Sequence, residues 1–184
     1  VISPGVPSDA PIVTQAIARS IPVVSELEVA SWFCPAPIVA ITGTNGKTTT
    51  TTLTGRIFTD ARVPCVIAGN IGVAFSQVVS TAIPAGAAIV EVSSFQLDHI
   101  RTFRPRVAAL LNITPDHLDR YDHSFETYIA AKQRIFKNQG RGDALIYNDD
   151  DEVTRRVVDE HIPEGVRRLP FSTRHTLTTG AWIA

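Results

Sequence analysis

The residues Gly43-Thr44-Asn45-Gly46-Lys47-Thr48-Thr49 stand between an apolar run, Ile38–Thr42, and a helical pattern. That order suits a phosphate cradle. A loop leaving a buried strand for a helix aims successive backbone N–H groups at one point, and the helix N-terminus adds its positive dipole. Gly43 and Gly46 let the backbone turn and come close to a ligand. Lys47 supplies a point charge to β and γ phosphates, and Thr48 offers a hydroxyl to Mg2+. The longer nucleotide-loop pattern needs glycine at position 41, where Ile41 stands, so this loop is a shorter form. Alone, it specifies only the phosphates of ATP or GTP.

Three further places could carry chemistry. Glu91 ends the apolar run Ala87–Val92, where a buried carboxylate is costly unless paired or metal-bound. By residue type it is either a direct or water-mediated Mg2+ ligand or a solvated strand-end carboxylate. Asn112-Ile113-Thr114-Pro115-Asp116-His117-Leu118-Asp119-Arg120 follows another apolar run and gathers an Asn, two Asp and a His on one loop. A His in such a loop is more often structural or solvated than catalytic, and His99, His123, His161 and His175 sit in no comparable cluster. Lys132 follows two alanines on a helical pattern; its spacing alone reads as a surface lysine.

These residues need elements to position them. Helical patterns cover Pro11–Ser20, with Asp9 or Ser8 near the start, and then Glu26–Phe33, Lys47–Ala61, Val73–Thr81, Ser124–Asn138 and Glu152–His161. Strand patterns cover Ile21–Ser25, Ile38–Thr42, Pro64–Ala68, Ala87–Val92, Val107–Leu111 and Asp143–Tyr147. Strands that alternate with helices and read as near-continuous apolar runs predict an α/β fold. Its mostly parallel sheet would be flanked by helices on both faces. Ligands then bind at the carboxyl ends of the strands, where Gly43, Glu91 and Asn112 fall.

Composition narrows the classes. A formal net charge of −1 gives no bulk field for nucleic acid or membrane binding. No run of eighteen apolar residues appears. Cys34 and Cys65 lie far apart, without metal-ligand spacing, which fits a reducing cytoplasm. The absence of Met and the apolar end TTGAWIA read as a piece cut from a longer protein.

Taken together, ITGTNGKTTT, GNIG, EVSSFQLD, NITPDHLDR and YIAAKQRIF occur in one order that closely resembles the Mur ligase superfamily. SSFQLD and NITPDHLDR point to the branch joining D-glutamate to UDP-N-acetylmuramoyl-L-alanine. The resemblance implies a cytoplasmic, monomeric, ATP-dependent ligase of peptidoglycan synthesis that works through an acyl phosphate. Residues 1–34 would be the tail of a Rossmann-like UDP-binding domain and linker. Residues 35–184 would be an incomplete P-loop central domain, with the C-terminal ligase domain absent and the piece inactive alone. It implies ATP contacts from Gly43 to Thr49, and Mg2+ ligation by Thr48 and Glu91. It also implies a second Mg2+ on His117 and a CO2-derived carbamate on Lys132. Asn70 resembles a substrate contact, with Ser93 and Gln96 beside it. The residues by themselves leave open a generic P-loop ATPase or kinase.

Overall fold

In the computed structural model, residues 1–3, 5–7, 9–70 and 72–183 are described. Three positions used above lie outside them: Ser8 as a helix start, Ile71 of Gly-Asn-Ile-Gly, and Ala184 of the closing TTGAWIA. In chain order the elements are α1 (Pro11–Ala18), α2 (Glu26–Trp32), β1 (Ile38–Thr42), α3 (Lys47–Asp60), β2 (Cys65–Gly69), α4 (Phe75–Val78) and β3 (Ala87–Glu91). They continue with α5 (Ser94–Leu97), β4 (Val107–Leu110), α6 (Phe125–Gln133), β5 (Ala144–Asn148), α7 (Glu152–His161), β6 (Arg167–Ser172) and β7 (Ala181–Trp182).

The strands form one sheet in the order β2-β3-β1-β4-β5-β6-β7, and every pair is parallel. The chain leaves β1 toward β2 and β3 on one side, then crosses to β4 and β5 on the other. The direction of winding therefore changes between β1 and β4, the switch point at whose carboxyl ends a ligand crevice is expected.

Residue parity decides what faces that crevice. Ile38 and Ala40 of β1, Ala88 and Val90 of β3, and Ala108 and Leu110 of β4 share the larger core cluster. Ile41, Ala87, Ile89 and Ala109 point to the opposite face and form the smaller cluster. Glu91 has the parity of Ala87 and Ile89. It therefore emerges on the same face as those residues, where α3 packs on β2 and β3. Gly55 lets α3 sit close, because a Cβ there would come within 2.1 Å of the Ile67 side chain. Two threonines of α3 satisfy their hydroxyls within the helix: Thr54 Oγ1 donates to Thr50 O and Thr59 Oγ1 to Gly55 O.

Several element expectations are corrected. Ile21–Ser25 forms no strand; its only bridge among the described residues pairs Ser25 with Ile2. The helix expected over Val73–Thr81 is reduced to α4 and a 3-10 turn, Val79–Thr81. The helix from Ser124 keeps its cap, with Ser124 accepting from Thr127 N, but tightens to 3-10 geometry at Arg134–Phe136. β6 had no counterpart in the sequence reading, because RRLPFS has two arginines and a proline. Five-residue pairing with β5 outweighs that composition. Leu27 and Ala30 of α2 belong to the same core as the sheet. No helix among the described residues is long and apolar enough to cross a membrane.

Candidate functional site

Three adjacent strand ends deliver the site: β1 gives the glycine loop, β3 gives Glu91, and β4 gives the segment from Asn112. Gly46 caps α3 with φ of 81°, a left-handed conformation suited to glycine, and supplies no side chain to the helix start. The first-turn N–H groups of α3 thus have no intrahelical acceptor and no capping side chain. Such an end favours an anion.

Lys47 folds back over the loop, its Nζ donating to Gly43 O at 2.9 Å and Thr44 O at 2.7 Å. Lys132 donates to the same Gly43 O at 2.7 Å. Lys132 is not a surface residue: it is 2% exposed. It stands one turn after Tyr128 on the inward face of α6, its Nζ 4.8 Å from the Tyr128 ring centroid. Burial, and then the neighbouring Lys47 charge, push its pKa down to about 7, against the opposing pull of Asp116. Much of it is therefore an uncharged amine at neutral pH.

On the α3 face, Thr48 Oγ1 donates to Glu91 Oε2 at 2.7 Å, and Asn70 Nδ2 donates to Glu91 Oε1 at 3.1 Å. Glu91 is 2% exposed, so it is not a solvated carboxylate; among the described residues two neutral donors hold it. Among the described residues no three His, Cys, Asp or Glu side chains converge on one point. A cation here would take part of its coordination from phosphate and water. Mg2+ suits that, since it prefers hard oxygen donors and keeps several non-protein ligands. Thr48 and Glu91 supply two such oxygens.

His117 lies in the loop after β4 with φ of 49°. Its ring meets Phe95 edge-on, centroids 5.4 Å apart, and its Nε2 is 3.5 Å from Asp116 Oδ2. Phe95 and Asp116 thus both stand against the ring, and Asp116 also acts on Lys132. Ser93 and Gln96 close a capping box at the start of α5. Gln96 Oε1 accepts from Ser93 N and Oγ, and Ser93 Oγ accepts from Gln96 N.

One group was missed in the sequence. Tyr128, unremarked within the helical pattern Ser124–Asn138, places its hydroxyl 3.2 Å from Thr44 Oγ1, which also bonds Thr114. Asn112, placed by the sequence at a strand's carboxyl end without a role, bonds the backbone of Asn45. Position just past an apolar strand was the available signal for both Asn112 and Thr114.

Comparison with known proteins adds a second line. The family profile described as the Mur ligase middle domain matches residues 41–181. UDP-N-acetylmuramoylalanine–D-glutamate ligase of Salinibacter ruber is 54% identical over 98% of this chain and 41% of its own length. The enzyme of the same name from Chloroherpeton thalassium is 50% identical over 91% of this chain and 36% of its own length. The chain therefore spans about two-fifths of the relatives it matches. Among solved structures, UDP-N-acetylmuramoyl-L-alanyl-D-glutamate–2,6-diaminopimelate ligase superposes with a TM-score of 0.67 at 22% identity. That match covers 89% of this chain and 42% of the other. MurF ligase of Thermotoga maritima in complex with ADP gives 0.61 at 19% identity, over 82% and 36%. These likenesses show the fold.

Proposed function

The chain belongs to the Mur ligase family, and from that premise we propose that it is the ATP-handling middle part of a longer ligase. Its reaction is the addition of D-glutamate to UDP-N-acetylmuramoyl-L-alanine. Residues before about position 34 would end a first, UDP-binding domain, and residues 35–184 would belong to the central domain. A further domain would supply contacts to D-glutamate. The two relatives named above carry this activity in their names.

One observation supports the reading most: Lys47 and the buried Lys132 converge on one carbonyl beside the Thr48–Glu91 pair. A kinase needs the loop and the carboxylate. A buried amine shifted toward its neutral form is suited instead to become an anionic ligand of a further cation, which would offset the charge of a carboxylate brought against a triphosphate.

Lys47 and the first-turn N–H groups of α3 bind and orient the β and γ phosphates. Thr48 and Glu91 would hold Mg2+, which supplies electrostatic stabilisation of phosphate charge when bound. The γ-phosphoryl group passes from ATP to the substrate carboxylate, releasing ADP. The amine of D-glutamate attacks the acyl phosphate carbon, phosphate leaves with the bonding electron pair, and the ammonium proton is lost to solvent. Lys132, shifted by burial toward its uncharged form, is suited to react with CO2. The resulting carbamate is an anionic oxygen donor that, with His117, would hold a second Mg2+ near the acyl phosphate. Asn70, Ser93 and Gln96 lie on the substrate side.

Phosphate release by the full-length ligase tests this. Release is expected only when ATP, UDP-N-acetylmuramoyl-L-alanine and D-glutamate are all present. Release indifferent to either acceptor rejects the ligase in favour of an ATPase or kinase.

A further inference from the structure

We infer that Asn112 is a positioning residue that holds the phosphate loop in its receptive shape through a two-way amide clamp on the backbone of Asn45; this rests on the nucleotide-site reading above. Asn45 N–H donates to Asn112 Oδ1 at 2.9 Å, and Asn112 Nδ2 donates back to Asn45 O at 3.1 Å. The side-chain amide thus acts as a short stretch of neighbouring strand would, pairing one donor and one acceptor of the same residue. The backbone of Asn112 adds a third bond, its carbonyl accepting from Thr44 N at 2.9 Å.

The placement follows from the sheet. β4 runs beside β1 in register, Thr42 opposite Leu110, and Leu111 N donates to Thr42 O. As β1 turns away into the loop, regular pairing stops. Asn112 extends it by one more residue through its side chain. Thr114 continues the contact: Thr44 Oγ1 accepts from Thr114 N and bonds Thr114 O, both at 3.0 Å. The loop is therefore held along one side by β4 and its following segment.

The clamp also sorts the loop's donors. The N–H groups of Thr44 and Asn45 are both engaged by Asn112, which leaves the first turn of α3 to face an anion. An anion arriving at a loop already shaped does not have to order it, and preorganisation of this kind raises affinity by removing an ordering cost. The clamp touches no substrate. It is expected to act on nucleotide affinity and to leave the acceptor site unaffected.

Binding of ADP to the full-length ligase by calorimetry, together with steady-state kinetics, tests the clamp. Asn112→Asp is close in shape and keeps an acceptor for Asn45 N–H, but sets a carboxylate oxygen against Asn45 O. Asn112→Ala removes both bonds. Loss of two backbone hydrogen bonds predicts that Kd for ADP and KM for ATP rise about ten- to a hundred-fold. KM for UDP-N-acetylmuramoyl-L-alanine stays within about two-fold, the spread ordinarily left by a surface-neutral change. Lys47→Ala is run beside them. If ADP binds Lys47→Ala as tightly as the unaltered enzyme, the nucleotide-site reading itself fails. If Lys47→Ala loses ADP while both Asn112 variants bind it normally, the clamp is overturned and the site stands. A uniform fall in all parameters with a lowered melting temperature in both Asn112 variants also overturns it, since that marks a purely structural residue.

Discussion

Glu28 and Lys132 are both charged side chains taken almost wholly out of water, 0% and 2% exposed, yet their surroundings are opposites. Glu28 lies on α2 and is enclosed by donors. Its oxygens accept from Arg101 N, Thr102 N, Thr102 Oγ1, Phe103 N and Trp32 Nε1. Burial pushes its pKa up, but the Thr102 hydroxyl and the three backbone N–H groups outweigh this and hold it below the ordinary value. Lys132 has one carbonyl, an aromatic face, and a second ammonium beside it. A buried charge whose bonds are complete stabilises the fold. A buried charge left beside its own kind costs stability, and that cost is retained where a ligand completes the site.

The contrast can be broken from either side. Glu28→Ala leaves three backbone N–H groups of the 101–103 loop without an acceptor. It is expected to cost about 3–5 kcal/mol of stability, read by urea unfolding. A loss under about 1 kcal/mol would show that the loop re-solvates freely. Turnover per folded molecule should hardly change.

Glu91→Gln should do the reverse. It retains bonding capacity toward Thr48 and Asn70 but removes the carboxylate, so stability should shift little. The rate of ligation should fall about 10²–10³-fold at saturating ATP and Mg2+. An unaltered rate would make Glu91 a structural residue like Glu28.

The pH dependence sharpens the Lys132 side. Its pKa is about 7 in the folded protein, against an ordinary lysine value of 10.5. Below pH 7 both states are protonated and the burial cost is complete. Between the two values the unfolded chain binds more protons, so stability rises with pH. In CO2-free buffer, urea unfolding should show a gain on the order of 2 kcal/mol from pH 7 to 9. Lys132→Met should remove that slope and be more stable than the unaltered protein at pH 7. An identical slope in Lys132→Met would assign it to other groups.

The smallest effect is expected at the opposite end of the strands, where β4 and β5 begin. Arg104 and Arg106, both about half-exposed, pair with the buried carboxylate of Asp143 at 2.7 and 3.4 Å. Arg104→Ala should cost only about 0.5–1 kcal/mol, less in high salt, because Gly140 N and Arg106 still satisfy Asp143. A loss as large as that of Glu28→Ala would mean that Asp143, like Glu28, is a closed, structural charge.

The same contrast explains what could be read from the sequence. Strong apolar strands, the glycine loop and the strand-end position of Glu91 were legible because each depends on local pattern, whereas the burial of Glu91 was not. Lys132 was not: its burial depends on the direction α6 faces, set by Tyr128 and Ile129 packing into the core. Spacing alone made it a surface lysine, and only resemblance to a family singled it out. β6 and the Ile21–Ser25 segment failed for a related reason. Pairing partners decided them, drawing RRLPFS into the sheet while leaving IPVVS with one bridge. Glu28 carried no signal either, since its donors come from a loop more than seventy residues away in sequence.

Carbon-13 NMR of the full-length ligase in labelled bicarbonate addresses the Lys132 side of this contrast most directly. A protein-bound carbamate resonance should grow in, strengthen on adding ATP and Mg2+, and be missing in Lys132→Ala. A spectrum without that resonance, from enzyme that is fully active, would make Lys132 a core lysine with no part in the reaction.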